Sequence, residues 1–523
     1  MLRRWFGRGD AGEEKKEQAT IERMEKGLEK PDAPNVTVTD APTDFVPPRR
    51  IVREDESEMH ELIEPNKAPE TVPTHPAEYL KPWKGYHGYI GDFEARCAIR
   101  HDGQYLIRLE DVRGQTNILI CVGEPLRHDK RWRRPGMPKE AEEDPDPVIR
   151  VRTHVVEKDK RGYFSIEDDY CFESVEDLLG FYVFHGEKWK LAAQLRYAVP
   201  RRNFEFRPRY IERKKKLGSG IYGDVFLAAI NYPGFWNEQA VGKAVKQGRT
   251  NSAELSRKMI EEGRILLNLS HPNVVQMYGW CLDNHPFMLL LQYLPDGSLD
   301  LFLLEKFEYT SLHHLVQFAL DAAQGLAYIH SQKIIHRNIS ARSCLLTRKG
   351  NVKISDFELS VKGCYYRMRK AERLPTRYVA PESLICFVFI AKSDCYTFGN
   401  LLFEIFSGGT IPYENLPSDE IRENILCGIT NKLPSRTPDS LVKFTEERIW
   451  GYTFIERPNA NEIVDFLENL LKEMKDKAKV ATVGEEDEEL NRNEAKSRKN
   501  RLHCKVRRED LLEEFCPMQV STA

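Results

Sequence analysis

The sequence predicts a multidomain protein of the α+β class. Its length, its strand-like runs and a change of pattern in its second half support this prediction. The chain has 523 residues, enough for two or three ordinary domains. Short apolar runs typical of strands, with helical stretches among them, lie between residues 83 and 200. A second region begins near residue 211 with strands and continues from about residue 252 with helical patterns.

The composition excludes several classes of protein. A content of 41% hydrophobic and 30% charged residues is typical of a globular chain. The formal net charge of −3 argues against a nucleic-acid partner, because such proteins usually carry a large basic excess. The 11 cysteines include no Cys-x-x-Cys pair, so we expect reduced thiols and neither a disulfide framework nor a zinc site.

Targeting signals are the next feature of the sequence. The start MLRRWFGRGD is basic, but no apolar stretch follows it, so no secretory signal is predicted. Leu at position 2 excludes N-myristoylation, and the apolar run LICFVFIA is too short to cross a bilayer. We therefore expect a cytoplasmic protein without a transmembrane segment. Peripheral association with a membrane through partners stays open.

Changes in composition suggest five segments. Residues 1–80 are rich in Glu, Lys, Pro and Thr and are expected to form a disordered leader. A first domain spans residues 83–200, and the charged, Pro-rich stretch 124–147 reads as an inserted surface loop within it. A second domain covers residues 211–475, and the charged residues 476–523 are predicted to form a disordered tail.

A glycine pattern opens the second domain. The segment LGSGIYGDV contains Leu217, Gly218, Gly220, Gly223 and Val225, with the glycines in a GxGxxG spacing. Glycines let backbone N–H groups approach phosphates closely, although this pattern alone also occurs in dinucleotide-binding folds. A dinucleotide loop opens a helix, whereas here the strand-like VFLAAI follows. The sequence therefore favours a β-hairpin lid over ATP.

A lysine suited to hold phosphates follows on the next predicted strand. The run Ala244–Val245–Lys246 resembles the Val-Ala-Ile-Lys strand of protein kinases, whose Lys holds the α- and β-phosphates. Lys243 is an alternative, because QAVGK also fits this pattern, but Lys246 is preferred. Glu262, on the predicted helix SAELSRKMIEEGRILLNL, is placed to pair with the chosen lysine.

The run IIHRNISARSCLL resembles the tyrosine-kinase catalytic loop His-Arg-Asp-Leu-Ala-Ala-Arg-Asn. His336, Arg337 and Arg342 match that loop, and the arginine at 342 indicates the tyrosine-specific branch. Asn338 replaces the Asp that accepts the substrate proton, and an amide has no useful basicity. Ser343 replaces the Asn that holds Mg²⁺. The resemblance therefore implies a kinase fold whose catalytic base and second metal ligand are lost.

Further kinase-like motifs occur in the expected order. In ISDFELS, Asp356 matches the metal-binding Asp of Asp-Phe-Gly, but Glu358 replaces the Gly and adds a negative charge. Glu382 and Arg457 match a pair that is usually joined in kinases, and Asp394 matches the anchor of the catalytic loop. The resemblance covers residues 211 to about 472 and implies a bilobal protein-kinase fold, with ATP and a weakened Mg²⁺ site as cofactors.

The first domain resembles a Src-homology-2 (SH2) domain, a central antiparallel sheet flanked by two helices. YHGYI matches its opening, GQYLIRLED matches its Phe-Leu-Val-Arg-Glu motif, and the connection to the kinase region is similar to that of the Fes/Fer family. The resemblance implies that Arg108 grips phosphotyrosine through two parallel hydrogen bonds and that His154 lines the same site. Asp92 stands where the family often has a second Arg, which is expected to weaken phosphate binding.

Two functions follow from these resemblances. The first is a non-receptor tyrosine-kinase-like signalling scaffold that binds phosphotyrosine proteins and ATP, with impaired transfer of phosphate to tyrosine. The alternative is an active tyrosine kinase, since phosphoryl transfer depends mainly on positioning and electrostatics. Tyr365 and Tyr366 lie in the predicted activation segment, where phosphorylation orders the loop in active kinases; a purely structural role fits them equally well.

Overall fold

The computed structural model describes residues 75–112, 114–125, 149–167, 170–185, 195–219, 223–232, 237–246, 252–369 and 375–481. The predicted leader up to residue 74, residues 126–147 of the predicted insertion, and the tail from residue 482 lie outside the described residues. The described residues fall into two compact units, one of residues 158–178 and one of all the others.

The first domain is built around a small sheet. The elements in chain order are α1 (Pro76–Leu80), α2 (Asp92–Ala98), β1 (Gln104–Val112), β2 (Gln115–Pro125), β3 (Ile149–Lys158), β4 (Phe164–Ser165), α3 (Val175–His185) and β5 (Tyr197–Ala198). Strands β1, β2 and β3 pair antiparallel, and the short β5 pairs parallel with the start of β1, so the order in the larger unit is β3-β2-β1-β5.

Strands β1 and β2 are buried along most of their length. The runs YLIRL in β1 and ILICV in β2 are nearly continuous and apolar, which is expected of strands covered on both faces. Arg108 is the charged residue within the buried run of β1, and it is 5% exposed. Helix α2 begins after Gly91 and carries Asp92 and Glu94 in its first turn, where negative charges interact favourably with the helix dipole and stabilise the helix.

The second domain begins with an antiparallel five-stranded sheet in the order β6-β7-β8-β10-β9, followed by helices. Its first elements are β6 (Ile211–Ser219), β7 (Gly223–Ile230), β8 (Glu238–Val245), α4 (Ser252–Leu266), β9 (Met277–Cys281) and β10 (Met288–Gln292). Its later elements are α5 (Leu299–Lys306), α6 (Leu312–Ser331), β11 (Ile334–Ile335), β12 (Cys344–Leu346), β13 (Val352–Ile354), β14 (Val361–Lys362), β15 (Tyr365–Arg367), α7 (Pro381–Cys386), β16 (Val388–Ile390), α8 (Ala391–Phe406), α9 (Ser418–Leu426), α10 (Asp439–Phe444) and α11 (Ala460–Ala481).

This division into a sheet-rich lobe and a helical lobe confirms the predicted bilobal fold. Helix α6 is capped by Ser311, whose side chain accepts the backbone N–H of His314, and it buries apolar residues such as Leu315, Leu326 and Ile329. Helix α8 is almost wholly buried, so it forms a rigid base for the loops above it. Within the described part of the chain, none of the helices has the length and apolar character needed to span a membrane.

Candidate active site

The structure decides between the two candidate lysines. The Nζ atom of Lys243, on β8, donates to Oε1 of Glu262 at 2.7 Å and lies 3.9 Å from Oδ1 of Asp356. Lys246 follows the end of β8, and its Nζ lies 3.6 Å from Asp224 instead. The preference for Lys246 is therefore wrong. Side chains alternate along a strand, so residues three apart point to opposite faces.

Electrostatics bind this cluster together. Burial alone would lower the pKa of Lys243, but the charges of Glu262 and Asp356 outweigh burial and raise it. Burial raises the pKa of Glu262, and the ammonium group of Lys243 opposes that rise. The carboxylate of Glu262 also accepts the backbone N–H of Phe357. The lysine therefore stays charged, and it joins helix α4 to the segment that carries Asp356.

The two strands that flank the glycine loop pair antiparallel, as expected for the predicted hairpin. Strands β6 and β7 pair antiparallel, with Gly218 opposite Val225, and both Leu217 and Val225 are half-buried. Gly220 lies outside the described residues. A Cβ at Gly223 would lie 1.7 Å from the carbonyl oxygen of Ala244, so no side chain fits there. The strand after the glycines excludes the helix of a dinucleotide-binding loop.

The catalytic-loop segment is held by Asp394 of helix α8, as the sequence predicts. Its carboxylate accepts the backbone N–H groups of His336 at 2.7 Å and Arg337 at 2.8 Å. Next in the chain, Asn338 donates from Nδ2 to Oδ2 of Asp356 at 2.9 Å. The amide at the base position is thus used as a hydrogen-bond donor to the candidate metal ligand, which the sequence did not reveal.

Ser343 is committed to local structure. Its Oγ donates to the carbonyl of Ser340 at 2.9 Å and accepts the backbone N–H of the same residue at 2.9 Å. The side chain of Ser340 in turn accepts the backbone N–H of Ser343, which closes a capping box around one turn of 3₁₀-helix. Ser343 is 2% exposed, so its hydroxyl is a buried cap and not an open metal ligand. Arg342, between them, is exposed.

The segment after Asp356 is packed inward. Phe357 is fully buried, and its ring meets that of His336 edge-on at 4.8 Å between centroids. The next side chain, Glu358, is half-buried, and burial raises its pKa to about 7. The negative charge that the sequence predicts beside the phosphate site is therefore partly neutralised near neutral pH. Asp356 keeps 40% of its side chain exposed, so it is open to a ligand.

The activation segment is tied to the C-terminal lobe. Strand β15 pairs antiparallel with β16, and Tyr366 lies opposite Phe389. The guanidinium of Arg337 contacts both rings, with its Cζ 4.6 Å from the centroid of Tyr366 and 4.3 Å from that of Phe389. Tyr365, in contrast, is 59% exposed. Arg337, whose usual partner in active kinases is a phosphate, is thus covered by aromatic rings.

One buried ion pair and two hydrogen bonds to a buried carboxyl group support the lower part of the site. Arg457, 1% exposed, donates to both carboxylate oxygens of Glu382 at 2.8 Å, which confirms the predicted pair. The carboxyl group of Glu404, on α8, accepts the backbone N–H of Ala341 at 2.7 Å and the hydroxyl of Tyr378 at 2.6 Å. Burial raises the pKa of Glu404 to about 8.

The first domain contains a second candidate site around Arg108. Its Nη2 lies 4.0 Å from Asp92 and its Nη1 lies 3.7 Å from Glu110. His154 does not belong to this site. It lies opposite Ile120, whereas Arg108 lies opposite Leu119, so the two residues point to opposite faces of the sheet. The sequence-based placement of His154 is therefore wrong, and burial lowers its pKa.

Contacts join the first domain to the upper lobe of the second. Glu94 of helix α2 forms a bidentate ion pair with Arg264 of helix α4: Nε and Nη2 of Arg264 each donate to one carboxylate oxygen, and the Nη2 bond is 2.7 Å long. The carboxylate of Asp283 lies 2.6 Å from Arg201. A Cβ at Gly88, whose φ is +70°, would lie 2.4 Å from the carbonyl oxygen of Leu282, so only glycine allows this close approach.

The bilobal fold, the Lys243–Glu262 pair and the anchored catalytic segment define a protein kinase domain. Residues 211–467 match the family described as protein tyrosine and serine/threonine kinase.

The chain is also similar to individual proteins, among them two tyrosine-kinase relatives. The chain is 30% identical over 345 residues to spermatocyte protein spe-8 of Caenorhabditis elegans, covering 65% of this chain and 62% of the relative. It is 27% identical over 394 residues to Fer-related kinase 1 of the same organism, covering 74% and 93%. It is 34% identical over 252 residues to the transforming protein Fps of avian sarcoma virus (strain PRCII), a tyrosine-protein kinase, covering 47% and 45%. These matches confirm the resemblance to the Fes/Fer family of tyrosine kinases that was identified from the sequence.

Proposed function

We propose that the chain is a tyrosine-kinase-like signalling protein that holds ATP but transfers phosphate to tyrosine poorly. One observation carries the proposal: Nδ2 of Asn338 donates to Asp356 at 2.9 Å. A catalytic base must accept the proton of the substrate hydroxyl, and an amide cannot do so. The hydroxyl of Ser343 is buried in a cap, so the second ligand for Mg²⁺ is also missing.

The residues present fit ATP. Lys243, held by Glu262, offers its ammonium group to the α- and β-phosphates. Asp356 would hold one Mg²⁺, which supplies charge neutralisation for the phosphates. Within this arrangement Asn338 orients neighbouring groups, and no side chain at position 338 or 343 takes up a proton or a second metal ion.

The first domain is proposed to be an SH2 domain that docks on phosphotyrosine proteins through Arg108. Its antiparallel sheet lies between helices α2 and α3 in the chain, and Arg108 is buried in the middle of β1. The match to Fer-related kinase 1 is longer than the kinase domain alone, which supports a likeness in this region. Together with the family resemblance, this arrangement supports a cytoplasmic scaffold that brings phosphotyrosine proteins to a nucleotide-bound kinase fold.

An active tyrosine kinase is the second candidate. The intact Lys243–Glu262 pair and the inward packing of Phe357 against His336 favour it, because these features position ATP in working kinases. Slow transfer without a base would then remain, since a positioned base contributes on the order of a hundred- to ten-thousand-fold.

The test compares the parent chain with a variant carrying Asn338→Asp, Ser343→Asn and Glu358→Gly, and with Lys243→Met as the inactive control. ATP, Mg²⁺ and a tyrosine peptide are supplied, and phosphopeptide is measured over time. We expect the triple variant to exceed the parent by about a hundredfold or more. Equal turnover in the two, well above the Lys243→Met control, would establish the active kinase instead.

Nucleotide binding is measured separately by the rise of the melting temperature on addition of ATP, with and without Mg²⁺. We expect the parent to be stabilised by ATP, with a weaker additional effect of Mg²⁺ than in the triple variant, which regains the second ligand. No shift with either addition would exclude ATP as a ligand.

A further inference from the structure

Arg108 lies in a pocket that already contains negative charge. Its side chain is 6% exposed, and its Nε atom is buried without a hydrogen-bond partner among the described residues. The carboxylates of Asp92 and Glu110 stand 4.0 Å and 3.7 Å from its two Nη atoms, and each is about half exposed, at 48% and 50%. These two contacts are longer than hydrogen bonds, and Nη1 also donates to the backbone carbonyl of Ile90 at 3.5 Å, so Nε and Nη2 are the groups that stay available to a ligand.

Local structure directs both carboxylates at Arg108. Glu110 is two residues beyond it on β1, and side chains two apart share one face of a strand. Asp92 is the first residue of α2, and its Oδ2 also forms an ion pair with Nε of Arg96 at 2.8 Å. Asp92 therefore has an alternative partner outside the pocket, whereas the carboxylate of Glu110 stays at the rim.

The elements that carry these carboxylates are fixed by the kinase domain. Glu94, two residues after Asp92, is paired with Arg264, and Asp111, next to Glu110, accepts a hydrogen bond from Nε2 of His285 at 2.9 Å. Because both walls of the pocket are tied to the same lobe, they cannot spread freely to relieve repulsion of an incoming anion.

We propose that Asp92 and Glu110 determine the specificity of the Arg108 pocket, selecting phosphotyrosine peptides that carry a basic side chain beside the phosphotyrosine. This inference rests on the proposed phosphotyrosine function of Arg108. A phosphate dianion that reaches Arg108 meets two like charges, which weakens its binding. A neighbouring Lys or Arg on the peptide offsets them at the exposed rim, whereas a neighbouring Glu adds to the repulsion.

The test uses the full chain and three fluorescent peptides of equal length, read by anisotropy. One has phosphotyrosine between lysines, one has phosphotyrosine between glutamates, and the third has unmodified tyrosine between lysines. The parent is compared with Asp92→Asn/Glu110→Gln and with Asp102→Asn. Asp102 is a partly exposed acid in the turn before β1, and its carboxylate pairs with Arg196 and not with Arg108, so it is a matched control.

We expect the parent to bind the lysine-flanked phosphopeptide at least about tenfold tighter than the glutamate-flanked one. The Asp92→Asn/Glu110→Gln variant gains about tenfold or more for the glutamate-flanked phosphopeptide, and its preference falls towards one, while Asp102→Asn behaves as the parent. Phosphopeptide binding that has no flanking preference, or a preference that persists in the double variant, overturns the inference and leaves the phosphotyrosine function standing.

A failure of the proposed function has a different outcome. If none of the proteins distinguishes the lysine-flanked phosphopeptide from its unmodified counterpart, the pocket does not read phosphate and both proposals fall. Arg108→Lys keeps the charge but loses the bidentate hydrogen bonds to the phosphate. We expect this substitution to lower phosphopeptide affinity at least tenfold, both in the parent and in the Asp92→Asn/Glu110→Gln variant.

Discussion

Replacement of Lys243 by Met tests the site most directly, because it removes the ammonium group that sits against a buried carboxylate. Glu262 is 2% exposed in its side chain, and its Oε1 is 2.7 Å from the lysine. Without the lysine, the charge of Glu262 faces only the backbone N–H of Phe357 and the like charge of Asp356. Breaking a buried ion pair in this way costs about 3 kcal/mol.

For a domain of this size, a loss of about 3 kcal/mol corresponds to a melting temperature lower by about 6–12 °C. The matched control is Lys246→Met, whose partner Asp224 has 41% of its side chain exposed. An exposed pair of this kind contributes about 0.5 kcal/mol, so we expect a change of about 2 °C or less. Differential scanning calorimetry measures both variants without nucleotide, and a second series adds Mg²⁺ and ATP.

The nucleotide series separates stability from binding. We expect Lys246→Met to be stabilised by ATP like the parent, and Lys243→Met to lose that stabilisation. Adding Glu262→Gln to Lys243→Met removes the unpaired charge and should recover more than half of the lost stability, which a double-mutant cycle reports as coupling. Equal behaviour of the two lysine variants would refute the assignment of Lys243.

Two further predictions concern the helical lobe. Phe389→Leu removes one of the two rings that contact Arg337. We expect hydrogen exchange of the backbone amides in β15 to accelerate about tenfold, because a cation–π contact contributes about 1–2 kcal/mol. Tyr365→Phe is the control variant, and an unchanged exchange rate in Phe389→Leu would contradict the role of the ring. Because burial raises the pKa of Glu404 from 4.5 to about 8, its contribution to stability is complete below pH 4.5 and is lost as the pH rises to about 8. The stability of the parent relative to Glu404→Gln should therefore fall by at most about 1.4 kcal/mol per pH unit over that range, measured by urea unfolding, and a flat difference rejects the raised pKa.

The sequence predicted the main architecture because that information is local and repeated. The change from strand-like to helical patterns marks the two lobes, and the strand after the glycines identifies a hairpin. The contacts of Asp394, Glu382 and Arg457 could also be predicted. Each of these residues stands in a motif that can be aligned with the kinase pattern in only one way, because the motifs follow one another in a fixed order.

The choice between residues on one strand could not be predicted in the same way. Lys243 and Lys246 fit the same motif in two overlapping alignments, and His154 fits a motif by type alone. A shift of one or three residues moves a side chain to the other face of a strand, and only the pairing with neighbouring strands fixes that face.

The sequence by itself determined that an amide and a hydroxyl, Asn338 and Ser343, stand at the positions where the resembling tyrosine-kinase loop has a base and a metal ligand, because residue identity at a motif position needs no coordinates. The tertiary structure alone decided what the replacements do: Asn338 binds Asp356, Ser343 caps a turn, and Glu110 joins Asp92 beside Arg108. These contacts join residues by distance and direction in space, which depend on how separate segments pack, and no local pattern of residue types encodes them.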